Sequence, residues 1–200
     1  MQDTQELPLF PLGTVLFPGG VLPLRIFEPR YVDMVRHCMR EQSGFGVVLI
    51  RAGSEARLDP QMAQPDVFEV GTVARIVDFN QADNGLLGIV AHGGEKFRIE
   101  DTYPQADHLL LGRVRLLEPE APGELLPEHA PLVEVLRELS QHPMVQQLNI
   151  DIDFDEARAV SWRLADLLPI APEIKQALLQ IRWPKERLTE IRRIVDKLRG

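Results

Sequence analysis

Side chains able to do chemistry are sparse in this sequence, and their spacing argues against most catalytic uses. The four serines, Ser43, Ser54, Ser140 and Ser161, sit in neither a Gly-x-Ser-x-Gly elbow nor a Ser-x-x-Lys pair, the contexts that activate a hydroxyl for attack. Gly93-Gly94-Glu95-Lys96 is the nearest approach to a phosphate-cradling loop. It lacks the required spacing and the terminal hydroxyl, so the glycine pair reads as a hairpin turn. His37, His92, His108, His129 and His142 contain no pair four residues apart, the spacing that puts two imidazoles on one helix face. His92 and His108 could meet across neighbouring strands, although surface histidines are the plainer reading. Asp151-Ile152-Asp153-Phe154-Asp155-Glu156 opens like a calcium loop but has Glu156 where glycine is needed and Trp162 where the closing glutamate belongs. A helix start, with Asp153 as N-cap and Glu156 three residues on, is preferred. Cys38 is the only cysteine; it falls on the apolar face of a predicted helix and reads as a small core residue. No catalytic residue, metal site or cofactor is expected.

Composition narrows the function classes further. The 200 residues carry a net charge of −8. Residues 1–118 hold 11 basic against 16 acidic side chains, and residues 119–200 hold 11 against 14. Neither half has the basic excess that drives nucleic-acid binding by counterion release. The most apolar stretch, Leu7 to Tyr31, contains Pro8, Pro11, Pro18, Pro23 and Pro29. Each proline inside a helix costs roughly 3 kcal/mol. The stretch therefore reads as neither a spanning helix nor a signal peptide, and a cytoplasmic location with no membrane partner is expected.

The elements that must position any site follow from periodicity. Glu6–Leu12 and Val21–Ile26 read as strands around the turn Phe17-Pro18-Gly19-Gly20. Pro29 suits the first turn of a helix whose apolar face holds Tyr31, Val35, Cys38 and Met39, with Gly44 as its stop. Strands follow at Phe45–Ile50, Val67–Asp78, Leu86–His92, Lys96–Tyr103 and Leu109–Leu117, with residues 51–66 as a polar loop and Asn84-Gly85 as a hairpin signal. Residues 118–123 read as a linker. Beyond it, four apolar stripes at helical spacing predict four helices: Leu132/Val135/Leu136/Leu139, Val160/Leu164/Leu167/Leu168, Ile174/Leu178/Ile181 and Leu188/Ile191/Val195/Leu198. Pro172 and Pro184 open the last two. The basic residues of 184–199 read as a solvated face, with an anionic contact as the lesser alternative. The chain is thus expected to be α+β, with a β-rich domain over 1–118 and a helical domain over 119–200.

These residues resemble a known family. "LPLFPLGTVLFPGGVLPLRIFEPRYVDMV" is similar to the opening of the N-terminal domain of Lon ATP-dependent proteases, a domain also found in cereblon and in free-standing bacterial proteins. "FGVVLI", "VGTVARI" and "GGEKFRI" resemble its later strands, and "LPIAPEIKQALLQI" with "ERLTEI" its helical part. The resemblance implies a PUA-like pseudobarrel followed by a helical bundle. It also implies a non-enzymatic module that binds unfolded or partner polypeptides, with no nucleic acid expected and the oligomeric state open. Neither the ATPase nor the peptidase module of the protease has a counterpart in the sequence. An RNA-binding or small-molecule-sensing PUA-like protein is the alternative. Apolar residues of the β domain and the domain junction, helped by backbone edges, would supply contacts. Arg25, Glu28, Arg30 and Tyr31 are the most motif-like polar positions. Fixing the strand-to-helix corner is their preferred role, and touching a ligand is the other.

Overall fold

The structure is a computed structural model that describes residues 4–55, 63–81 and 86–199. The chain divides into two compact units, Met1–Glu118 and Pro119–Gly200.

In the first unit, β1 (Thr4–Leu12) runs parallel to β3 (Phe45–Ala52) and antiparallel to β7 (Leu110–Leu116). β7 pairs with β6 (Leu87–Pro104), β6 with β5 (Val70–Gln81), and β5 with β3, which closes a five-stranded ring. β2 (Val21–Ile26) adds to the first half of β6, and the two-residue β4 (Asp66–Val67) to the end of β3. The continuous apolar runs of β1 and β3 follow from burial of both faces. Leu7, Leu9 and Val48 join Phe97, Leu110 and Val114 in one cluster, while Phe10, Leu12 and Val47 face another built with α1. Each fully buried Leu or Phe there contributes roughly 1.5–3 kcal/mol of transfer free energy.

Two local readings are corrected. Gly93-Gly94 makes no hairpin, because it lies inside the single long strand β6 where two strands were expected. A Cβ on Gly93 would lie 2.1 Å from the Phe17 carbonyl oxygen, and the Gly93 backbone exchanges hydrogen bonds with Gly19 and Gly20 at 2.7 and 2.9 Å. Close backbone approach is what this glycine serves. The strand expected over Val67–Asp78 is interrupted at Phe68-Glu69, between β4 and β5. The Asn84-Gly85 signal and part of the 51–66 loop lie outside the described residues.

Helix α1 (Pro29–Glu41) buries Tyr31, Met34, Val35 and Cys38, a stripe at i, i+3, i+4 and i+7. It ends at Gln42 in the left-handed region (φ 52°), not at Gly44. Gly44 serves packing instead, since a Cβ there would meet the Ala74 carbonyl oxygen at 2.7 Å. The Cys38 thiol is 1% exposed and donates weakly to the Gly44 carbonyl at 3.5 Å. Burial pushes its pKa up, which suppresses thiolate chemistry.

The second unit holds the four expected helices as α2 (Ala130–Ser140), α4 (Ala157–Leu167), α5 (Pro172–Gln180) and α6 (Pro184–Arg199), plus the short α3 (Pro143–Gln147). A 3-10 turn, Pro127–His129, leads into α2. Helix α4 is central and packs on α2, α5 and α6. Ile174 and Leu198, read as core, are 41% and 57% exposed. Asp153 does not cap α4; it accepts from the Asp155 N–H in a turn. Glu156 is the N-cap, accepting from the Arg158 and Ala159 N–H groups at 2.8 and 3.0 Å. Its Oε1 also accepts from Gly123 N–H at 2.8 Å, which ties the start of the unit to α4. Among the described residues no helix is long and apolar enough to cross a membrane.

Candidate functional site

Three of the four residues singled out at the strand-to-helix corner form one network. Glu28 is the N-cap residue of α1, with extended backbone, but its side chain makes no capping hydrogen bond. Its carboxylate instead accepts from Arg30 Nε at 3.0 Å, with Arg30 Nη2 at 2.9 Å. Arg30 Nη1 donates to the His108 carbonyl at 3.0 Å, joining the helix to the loop before β7. The guanidinium carbon lies 4.5 Å from the centroid of the Tyr31 ring, which stacks on Phe10 at 4.1 Å. Arg30 and Tyr31 are buried and Glu28 is half-buried. The Tyr31 phenol is pushed up to about 12 by burial, only partly offset by Arg30. Arg25 stands apart, exposed on β2 opposite Gly88. The network ties the start of α1 to Phe10 of β1 and to the His108 carbonyl.

Arg30 also heads a cleft of about 660 Å³. One wall is the second stripe of α1, where Asp33, Met34, His37 and Glu41 follow Arg30 at three- and four-residue spacing. The floor is apolar: Leu7, Pro8, Val73, Leu109, Leu111 and Leu116. The far rim carries Gln5, Glu6, Arg75, Glu95, Gln105 and Asp107. Arg75 pairs with Glu95 at 2.9 Å. The Glu95 carboxyl is held below its usual range first by its own backbone N–H and then, against some burial, by Arg75. The Tyr103 hydroxyl donates to Glu6. Sequence reasoning missed Asp33, His37 and Glu41, although their four-residue spacing down α1 was the signal that could have found them.

Other surfaces are simpler. Phe27, Val77 and Phe79 are 64%, 54% and 58% exposed on the ribbon where β2 and the end of β5 flank the start of β6. In the helical unit, Leu139, Val145, Leu168, Val195 and Leu198 line an apolar groove of about 620 Å³. The same unit departs from the reading of α6 as carrying only solvated basic residues, because Arg187 is fully buried. Its Nη2 pairs bidentately with Glu120 at 2.7 and 2.8 Å, and its Nη1 donates to Ser161 at 2.8 Å. The Leu178 and Ile181 carbonyls accept from Nε and Nη2, and the guanidinium carbon lies 3.2 Å from the Trp162 ring centroid. All three guanidinium nitrogens donate to protein acceptors, so this arginine holds structure together. Among the described residues no group of three or more His, Cys, Asp or Glu is placed to hold a metal ion.

Comparison with known proteins gives a consistent picture. Residues 6–197 match the family described as the ATP-dependent protease La (LON) substrate-binding domain. The chain is 31% identical over 181 residues to Lon protease 2 of Myxococcus xanthus, covering 78% of this chain and 21% of that protease. It is 32% identical over 144 residues to protein cereblon of Danio rerio, covering 70% of this chain and 31% of cereblon. The chain thus matches less than a third of the length of either relative. A crystal structure of a Lon N-terminal domain protein from Xanthomonas campestris superimposes with a TM-score of 0.74 at 37% identity, covering 94% of this chain and 96% of that one.

Proposed function

Because the chain belongs to the Lon substrate-binding domain family, we propose that it is a polypeptide-binding module that performs no catalysis of its own. The observation that carries this reading is the cleft beside α1. It is about 660 Å³ in volume and pairs an apolar floor with a polar rim, within the size range of ligand sites and suited to side chains of an extended segment. Elsewhere in the same unit, exposed Phe27, Val77 and Phe79 offer further apolar contact area. An unfolded chain offers what such surfaces need, apolar side chains next to unpaired backbone groups.

The absence of an enzymatic role is part of the proposal. It is supported by a family match to the substrate-binding domain and by a sequence in which no phosphate loop or activated nucleophile was found. The proposal places the protein in the cytoplasm, where a lone buried thiol such as Cys38 stays reduced. A rim carrying several carboxylates works against a polyanion, which disfavours RNA as the ligand. The test is whether the protein binds a reduced, unfolded polypeptide in preference to its native form.

A further inference from the structure

Resting on that reading, we infer that the cleft selects extended segments in which apolar side chains alternate with lysine or arginine. The cleft's lining holds five carboxylates, Glu6, Asp33, Glu41, Glu95 and Asp107, against Arg30 and Arg75. Both arginines are already engaged. Arg75 is held by Glu95 at 2.9 Å, and Arg30 by Glu28 at 2.9 Å and by the His108 carbonyl. Four further carboxylates line the cleft: Glu6, Asp33, Glu41 and Asp107. Asp33 and Glu41 have arginine neighbours, Arg36 at 3.2 Å and Arg40 at 3.3 Å. Like Arg75–Glu95 these pairs are solvent-exposed, and counted on the same footing they leave a surplus of two carboxylates, Glu6 and Asp107, over the cleft. Side chains of an extended segment alternate in direction, so with leucines on the floor the lysines extend to the mouth of the cleft, where each can meet several rim carboxylates. Neutral apolar segments would still bind the floor, and acidic ones would be repelled.

The experiment titrates the full chain with three short labelled peptides. Each alternates leucine with one other residue: lysine, glutamine or glutamate. The lysine peptide is expected to bind roughly tenfold tighter than the glutamate peptide at low salt, with the glutamine peptide between them. That ratio should shrink as salt screens the rim. Asp33→Asn with Glu41→Gln changes two exposed side chains, so folding is not threatened; it frees Arg36 and Arg40 to offset Glu6 and Asp107, and should bring the lysine peptide to the affinity of the glutamine peptide. Equal affinity for all three, tightest binding of the glutamate peptide, or an undiminished lysine preference in the double variant overturns the charge selection while leaving polypeptide binding standing. Failure of all three peptides to bind overturns both readings together.

Discussion

Arg30 reaches back across Pro29 to hold the Glu28 carboxylate, with Nε to Oε2 at 3.0 Å, while the same guanidinium reaches His108 in the loop before β7. The ion pair spans the junction between β2 and α1, and α1 supplies a wall of the cleft. Glu28→Ala should lower stability by about 1–3 kcal/mol, because it removes a charge-assisted partner from a buried arginine. Polypeptide binding should fall only in step with the folded fraction. An unchanged melting curve with lost binding would instead make Glu28 a ligand contact. Measuring both on one variant decides between them.

In the helical unit the corresponding test is Arg187. Replacing it with alanine leaves the Glu120 carboxylate, whose side chain is 4% exposed, without its bidentate partner. A loss of about 3–5 kcal/mol in chemical denaturation is expected. The pair Glu120→Gln with Arg187→Met should cost less than the sum of its single changes by about 1–3 kcal/mol. Strictly additive losses would contradict the coupling.

A third prediction concerns pH. His129 is buried, and its Nδ1 accepts from the Leu126 N–H at 3.1 Å. Burial pushes its pKa below the usual 6.5; Glu128 opposes this, while Arg192 and Lys185 add to it. A histidine whose folded value is lowered binds fewer protons folded than unfolded. Its stabilisation is therefore complete above pH 6.5 and is lost as pH falls through the lowered folded value. His129→Gln, which keeps an acceptor that does not titrate, should flatten the decline in denaturation midpoint below pH 6.5. An unaltered decline would assign it to other groups.

Much of the fold was legible because its signals were local and repeated. Val21–Ile26 and the Pro29 helix start are where the sequence placed them, since proline and apolar periodicity act over a few residues. Gly93-Gly94 misled because a glycine pair serves a turn and a close backbone approach equally well, and only the Phe17 carbonyl beside Gly93 distinguishes them. Glu156, and not Asp153, caps α4 because it directly precedes Ala157 and reaches the Arg158 and Ala159 N–H groups, while Gly123, 33 residues away, adds a further donor to its carboxylate. Arg187 was hidden by composition, since basic residues on a helix look alike whether solvated or buried. Its spacing to Ile191 placed it on the apolar face, the one sign of burial. The cleft was the least legible feature. Its floor and rim come from β1, α1, β5, β6 and β7 together, and only the fold brings those residues to one place.

The most direct test of polypeptide recognition is a backbone-amide NMR titration of the full chain with a reduced, unfolded polypeptide and, separately, with the native form of the same polypeptide. The account predicts saturable shifts with the unfolded form, concentrated at Asp33, His37 and Glu41 of α1 and at Gln105 and Asp107 across the cleft. With an uncharged probe these shifts should depend only weakly on salt. Equal response to the folded and unfolded forms, or shifts that avoid the cleft altogether, would contradict it.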